Sequence, residues 1–372
     1  MRILVAPDKF KGSLTAVEAA TRIADGWREI LPDDDISLHP VADGGDGTLE
    51  AVAGCIGGRW KTTATTDARG RPSQASWLWE PESRAAWIES ARVCGLAALE
   101  SHERDPLAAT SAGLASMINA AIAEGAQTIF LCLGGSATND GGSGMASALG
   151  FTFRNAGNTP FEPVPNALPQ LASIERPPTM PRVKVIALTD VCNPLLGPQG
   201  ASHAYGPQKG AAPGDVVKLD KALAHLAGIA TRDLRATNPG TPGAGAAGGL
   251  GFGAMTFLNA DLRNGFDTIA AMTGLDAAIA QADLVITGEG KIDVQTASGK
   301  APAGVARLAR THGKPVIAFA GSIPLAADAA FDVLVPLANS PMTIEDSMGS
   351  AGPLLQAAAA RAARLVRVGK IL

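Results

Sequence analysis

Short apolar runs alternate with amphipathic stretches along the chain, and the spacing changes character from one third to the next. Residues 2–6 (RILVA) form a compact apolar run, and Thr15 followed three residues later by Glu18 is a capping box that opens a helix. The helix carries Val17, Ile23, Trp27 and Ile30 as its apolar stripe. A second strand is predicted over 36–41, after a Pro-Asp-Asp-Asp turn, so the chain opens as strand, helix, strand. The last third repeats this pattern. It predicts strands at 284–287, 316–320 and 333–335, a helix from about Pro302 ended by Gly313, and an Ala-rich helix after Thr343. Parallel strands need neighbours and helices on both faces, so the two chain ends are expected to share one doubly wound α/β sheet, built from 1–60 and 282–372.

The middle, 61–281, is then an inserted second α/β domain. Its first part has strand-like runs at 60–66, 75–79 and 85–89, separated by Asp-Ala-Arg-Gly and Pro-Glu-Ser turns, which predicts a meander. A helix follows Thr110, with Leu114, Met117, Ile118, Ala121 and Ile122 on its apolar face and Gly125 at its end. Buried strands at 128–133 and 183–188 and a helix near 216–234 complete it.

Length and composition change this picture little. A chain of 372 residues, 46% hydrophobic, exceeds what one core usually serves, in keeping with two domains. With 31 Lys plus Arg against 35 Asp plus Glu, the net charge of -4 supplies no field for nucleic acid or an anionic membrane, and a small-molecule partner fits better. The four cysteines are at least 38 residues apart and read as reduced thiols, not as a disulfide framework or zinc site. No two histidines have the spacing of a helical metal pair. The N-terminal apolar run is broken by Pro7, Asp8 and Lys9 and lacks a cleavage signal, and 244–258 is too short and too glycine-rich to cross a bilayer. A cytoplasmic protein is expected.

Candidate chemistry concentrates where predicted strands end. At 133–150 (LGGSATNDGGSGMASALG) a buried strand runs into a glycine-rich polar turn and a helix start, a natural anion site. Gly134, Gly135 and the hydroxyls of Ser136 and Thr138 are candidates for phosphate oxygens, and Asn139 and Asp140 for substrate. The alternative is a tight turn in which Asn139 or Asp140 merely caps the helix. The pattern D-G-G-x-G occurs at 140–144 and also at 43–47, so Asp43 and Asp46 are candidates for Mg²⁺, which needs only one or two protein carboxylates beside phosphate. Helix capping competes for at least one of them.

Glu289 and Lys291 follow the strand at 284–287, with Asp293 close behind; Glu289 is a further Mg²⁺ candidate and Lys291 a cation for the transferring group. Lys300, ahead of a Pro-started helix, suits a phosphate as a point charge. Lys9 and Lys11 follow the first strand and suit a carboxylate or phosphate. Asp190, just past the strand at 183–188, is placed to accept a substrate hydroxyl proton, with an Asx-turn at Asp190 or Asn193 as the competing role. There is no G-x-x-x-x-G-K-[ST] motif, no G-x-G-x-x-G after the first strand and no G-x-S-x-G elbow.

Five blocks together, APDKFKGSLTAVEAA, PVADGGDGTLEA, LGGSATNDGGSGMASALG, ALTDVCNPL and VITGEGKIDVQTASGK, resemble the bacterial glycerate kinase type-1 family over nearly the whole chain. The resemblance implies ATP- and Mg²⁺-dependent phosphorylation of D-glycerate, commonly to 2-phosphoglycerate. It also implies a flavodoxin-like domain joined to a restriction-enzyme-like α/β domain, with the active site in the cleft between them. A kinase giving 3-phosphoglycerate, a kinase for another small hydroxy acid, and a non-catalytic small-anion sensor stay open as alternatives, as does a homodimer.

Overall fold

The computed structural model describes residues 1–180, 182–236, 238–292, 301–323 and 330–369. In chain order the strands are β1 (Arg2–Val5), β2 (Asp35–Leu38), β3 (Arg59–Thr66), β4 (Pro72–Glu80), β5 (Ala85–Glu89), β6 (Thr128–Cys132) and β7 (Thr152–Asn155). They continue with β8 (Leu171–Glu175), β9 (Lys184–Leu188), β10 (Asp261–Arg263), β11 (Leu284–Lys291), β12 (Val316–Ser322) and β13 (Val333–Pro336). The chain divides into two compact units, one of Met1–Asp43, Glu50–Gly57 and Gly265–Leu372, the other of Gly44–Leu49 and Gly58–Asn264.

The first unit holds a five-stranded sheet in the order β13-β12-β11-β1-β2, and every pairing in it is parallel. Renumbered within the sheet and read from the other edge this is 2-1-3-4-5, the flavodoxin-like order, whose switch point lies between β1 and β11. The pleat sorts alternate residues to opposite faces. Ile3, Val5, Ile286, Ile317 and Phe319 meet the helices Ala16–Arg28 and Ala351–Gly369 on one side. Leu4, Val285, Val316 and Ala318 meet Phe266, Leu275, Ile279 and Val305 on the other. Residues 265–281, grouped with the insert from sequence, therefore belong to this core instead, because Phe266, Ile269, Leu275 and Ile279 bury their side chains here. The opening helix has its expected capping box, with Glu18 N–H donating to Thr15 Oγ1 at 3.2 Å. Its buried stripe is Ala16, Ala19, Ala20, Ile23 and Trp27, while Val17 is 37% exposed, since small alanines let the packed helices come close.

The second unit holds a mixed six-stranded sheet in the order β10-β9-β6-β5-β4-β3. Strands β5, β6, β9 and β10 are parallel, and β5-β4-β3 is the antiparallel meander. Trp77, Trp79, Ile88 and Leu131 pack with Leu114, Met117 and Ile118 of the helix Leu114–Glu124, which Gly125 ends in the left-handed conformation (φ 99). A separate core gathers Phe151, Phe153, Phe252 and Phe257 around the helix Pro213–Leu234. No described helix is long and apolar enough to cross a membrane.

Candidate active site

Strand β6 leads directly into the glycine loop of the second unit. Leu133 N–H still donates to Leu188 O of the neighbouring strand segment (2.9 Å), and the chain then turns at Gly134 and Gly135. A Cβ on Gly134 would lie 2.5 Å from the Gly45 Cα, and one on Gly135 would lie 3.6 Å from the Asp46 Cβ. The backbones of Gly134 and Gly45 thus touch, an approach that only glycine permits, while Gly135 is glycine for its left-handed φ of 67. Among the described residues the N–H groups of Gly134, Gly135 and Ser136 meet no acceptor, and Gly135 is exposed. Successive N–H groups in a turn form an anion-binding concavity.

The second half of the loop is closed by its own carboxylate. Asp140 Oδ2 accepts from Ser111 N–H and Ser111 Oγ–H (both 2.7 Å) and from Gly144 N–H (3.2 Å), while Oδ1 accepts from Gly142 N–H (3.0 Å). Burial holds its pKa above the usual carboxylate range, and these four bonds oppose the rise. The helix Ser143–Ala148 therefore receives Asp140 at its start rather than an external anion. Asp140, expected to touch substrate, has both oxygens engaged inside the loop, because Ser111 packs against it from a segment 29 residues earlier. Ser111 offered no signal in sequence.

Between these halves the loop is held by Lys209, a residue that sequence reasoning did not single out. Lys209 is 2% exposed; its Nζ donates to Ser136 Oγ (3.0 Å) and to Thr138 O (2.5 Å). Burial lowers its pKa to about 8, against the pull of Cys94 and Asp140. The helix Ala201–Tyr205 and the turn Pro207–Lys209 deliver it, and the same helix supplies Ser202 Oγ as acceptor for Asn139 Nδ2 (3.0 Å). The Asn139 Oδ1 is buried with no partner among the described residues.

Asp190 lies two residues beyond β9, part-buried. The turn there is made by its neighbour: Thr189 Oγ1 accepts from Val191 N–H (3.3 Å). Asn193 is likewise occupied, donating to Gln199 O (2.7 Å) and accepting from Tyr205 Oη (2.6 Å).

In the first unit the switch point collects carboxylates. Asp8 follows β1, and its N–H donates to Gly288 O on β11 (2.9 Å). Its carboxyl is buried and pushed up to about 8, first by burial and then by the charge of Asp43, with Glu289 adding to the rise and Lys9 opposing it. Glu289 on β11 is itself buried, and Lys9 N–H donates to Asp8 Oδ1 (2.7 Å). Lys11 and Lys291 are exposed at the same strand ends. Asp43 and Glu289 therefore come together, with Asp8 as a third carboxylate that the strand-end rule would have found; Asp46 belongs to the second unit. Among the described residues no group of three or more His, Cys, Asp or Glu side chains has metal-ligating geometry. Lys300 and Asp293 lie outside the described residues.

The raised Asp8 pKa has a consequence for stability. Between the ordinary carboxylate value of 3.8 and about 8 the folded state holds a proton that the unfolded chain has released, so stability falls as pH rises through that window. In metal-free buffer, Asp8→Asn should lose less Tm than the parent between pH 5 and pH 8.5. Parallel losses in the two proteins would show that Asp8 is ionised throughout.

The chain as a whole matches known proteins. The model of the Glycerate kinase family matches residues 3–367. The chain belongs to the glycerate kinase family. It is 39% identical to a glycerate kinase of Bacillus subtilis (strain 168), over 100% of this chain and 99% of that protein. It is 42% identical to a glycerate 2-kinase of Escherichia coli (strain K12), over 87% of this chain and 86% of the relative. A crystal structure from Salmonella typhimurium LT2, assigned as glycerate kinase 2, superposes with a TM-score of 0.86 at 39% identity, covering 100% of both chains. The two-unit α/β architecture is thus that of the family, and the chain is a kinase whose family phosphorylates an alcohol.

Proposed function

We propose that the protein transfers the γ-phosphoryl group of ATP to D-glycerate and yields 2-phosphoglycerate. The observation that carries this is the family match over residues 3–367, which takes in every strand-end cluster described above. The relative named glycerate 2-kinase favours the 2-product. The four free cysteines support a cytoplasmic setting.

Phosphoryl transfer asks little covalent chemistry of a protein; positioning and charge neutralisation supply most of the catalysis. In this reading the N–H groups of Gly134, Gly135 and Ser136, with the Ser136 and Thr138 hydroxyls, hold phosphate oxygens. Lys9, Lys11 and Lys291 balance the glycerate carboxylate and the transferring group, with Lys300 as a further phosphate contact. Asn139 orients the substrate, and Asp190 accepts the proton of the attacking hydroxyl. Mg²⁺ takes one or two carboxylates and fills its remaining positions with phosphate oxygens and waters. The carboxylates around Asp8 suit it, since a cation there would offset both the burial and the charge of Asp43 and Glu289 that raise the Asp8 pKa. Asp43 and Glu289 would hold the ion, and the ion would neutralise phosphate charge.

The test is ADP release by the purified protein with Mg²⁺-ATP and D-glycerate, with the product identified by phosphorus NMR. Glycerate-dependent turnover to 2-phosphoglycerate is expected. A 3-phosphoglycerate signal would overturn the regiochemistry, and no turnover by folded protein would overturn the substrate.

A further inference from the structure

The buried lysine under the glycine loop has no place in the chemistry above. Among the described residues it is not paired with a carboxylate at hydrogen-bonding distance; its two partners are a serine hydroxyl and a backbone carbonyl. An ammonium group has donors and no acceptor. Ser136 Oγ must therefore accept from Lys209, so the Ser136 hydrogen cannot point back at Nζ. No protein acceptor takes that hydrogen among the described residues. It is left to donate beside the N–H groups of Gly134, Gly135 and Ser136, which also lack acceptors.

We propose that Lys209 is a positioning residue for anion binding: by donating to Ser136 Oγ and Thr138 O it makes the Ser136 hydroxyl a donor to an anionic oxygen of the ligand. This rests on the reading that the loop at 134–138 grips such an oxygen. The oxygen belongs to an ATP phosphate or to the glycerate carboxylate, two sources of one chemistry. The clamp has a second point seven residues earlier, where Ser202 holds Asn139 Nδ2 and turns the unpartnered Oδ1 of that amide away from it. Asp140 is engaged with Ser111, Gly142 and Gly144, so Lys209 keeps its charge for the loop.

The experiment is a double-mutant cycle on the full chain: Ser136→Ala, Lys209→Met and the pair, with kcat and KM measured separately for ATP and D-glycerate. Circular dichroism and thermal melts would check the fold. Each single variant should raise one of the two KM values by about tenfold, the scale of one hydrogen bond to a charged group, with a smaller change in kcat. The double variant should be no worse than either single, because both remove the same donor. The substrate whose KM moves identifies the source of the oxygen. If Ser136→Ala changes neither KM, the loop does not grip an anion through Ser136 and both proposals fall. If Ser136→Ala acts but Lys209→Met does not, or the two effects multiply, the loop reading stands and the role of Lys209 falls.

Should Lys209→Met fail to fold, the pH dependence of the unaltered protein decides. Lys209 faces Cys94 and Asp140 and loses its proton near pH 8. The neutral amine gains a lone pair that can accept the Ser136 hydrogen. The affected KM should then rise above that pH in the parent and stay flat in Ser136→Ala; the same profile in both would overturn the proposal.

Discussion

Replacing Asp140 by alanine should cost at least about 3 kcal/mol of stability, since it leaves several buried donors unpaired at about 1–3 kcal/mol each before relaxation. The carboxylate is fully buried and ties together two stretches of the second unit, Ser111 and the turn at 142–145, where Ser111 Oγ in turn accepts from the N–H of Met145 at 3.0 Å. Alanine removes four accepted bonds at once, and the buried Ser143 and Gly144 leave little room for water to replace them. Asp140→Asn keeps the shape but sets an amide NH₂ against donors, so it should be only partly better. Urea denaturation with a shared m-value is the measurement. A midpoint within a few tenths of a molar of the parent (roughly 1 kcal/mol or less at typical m-values) would mean that the loop does not depend on this carboxylate.

Asp190→Asn should leave the fold intact and lower kcat by about 10²–10⁴-fold, the range for losing a positioned general base. Asparagine keeps the shape of the aspartate, and the turn after β9 is made by Thr189. An unchanged KM with a collapsed kcat would match a group that acts on the reacting hydroxyl rather than on binding. Turnover within a factor of two of the parent would remove Asp190 from the mechanism.

The two roles differ in how far they could be read from the chain. Both Asp140 and Asp190 follow a buried apolar strand, and that pattern marks each as a carboxylate delivered to a strand end. Nothing local separates the one that closes the glycine loop from the one that does not. Ser111 decides the matter, and it reaches Asp140 from another segment.

Local chemistry was sufficient for the strands of the first sheet and for β3, β4, β5, β6 and β9 of the second, but not for β7, β8, β10 or the helices between 246 and 281. The capping box at Thr15 and Glu18, the left-handed stop at Gly125 and the apolar runs of β1, β6, β9 and β11 depend on neighbours within a few residues, and each forms as the pattern predicts. The five-stranded sheet follows from those runs because parallel strands require crossovers and partners from both chain ends. Where the pattern misled, long-range packing prevailed. Val17 gave way to alanines on the buried helix face, and the helices at 265–281 joined the first core.

At the sites, the sequence by itself determined which strand ends carry glycine turns, carboxylates and lysines, because those follow from strand and turn periodicity. Tertiary structure alone decided which of these groups meet. Asp8 became a carboxyl of raised pKa only when the fold buried it and brought Asp43 and Glu289 beside it. Lys209, in a stretch that reads as an ordinary polar turn, became a buried cation only when the helix Ala201–Tyr205 carried it under Ser136 and Thr138. The physical reason is that burial and charge proximity are sums over residues distant in the chain, while helix caps and turns are settled within one or two turns of backbone.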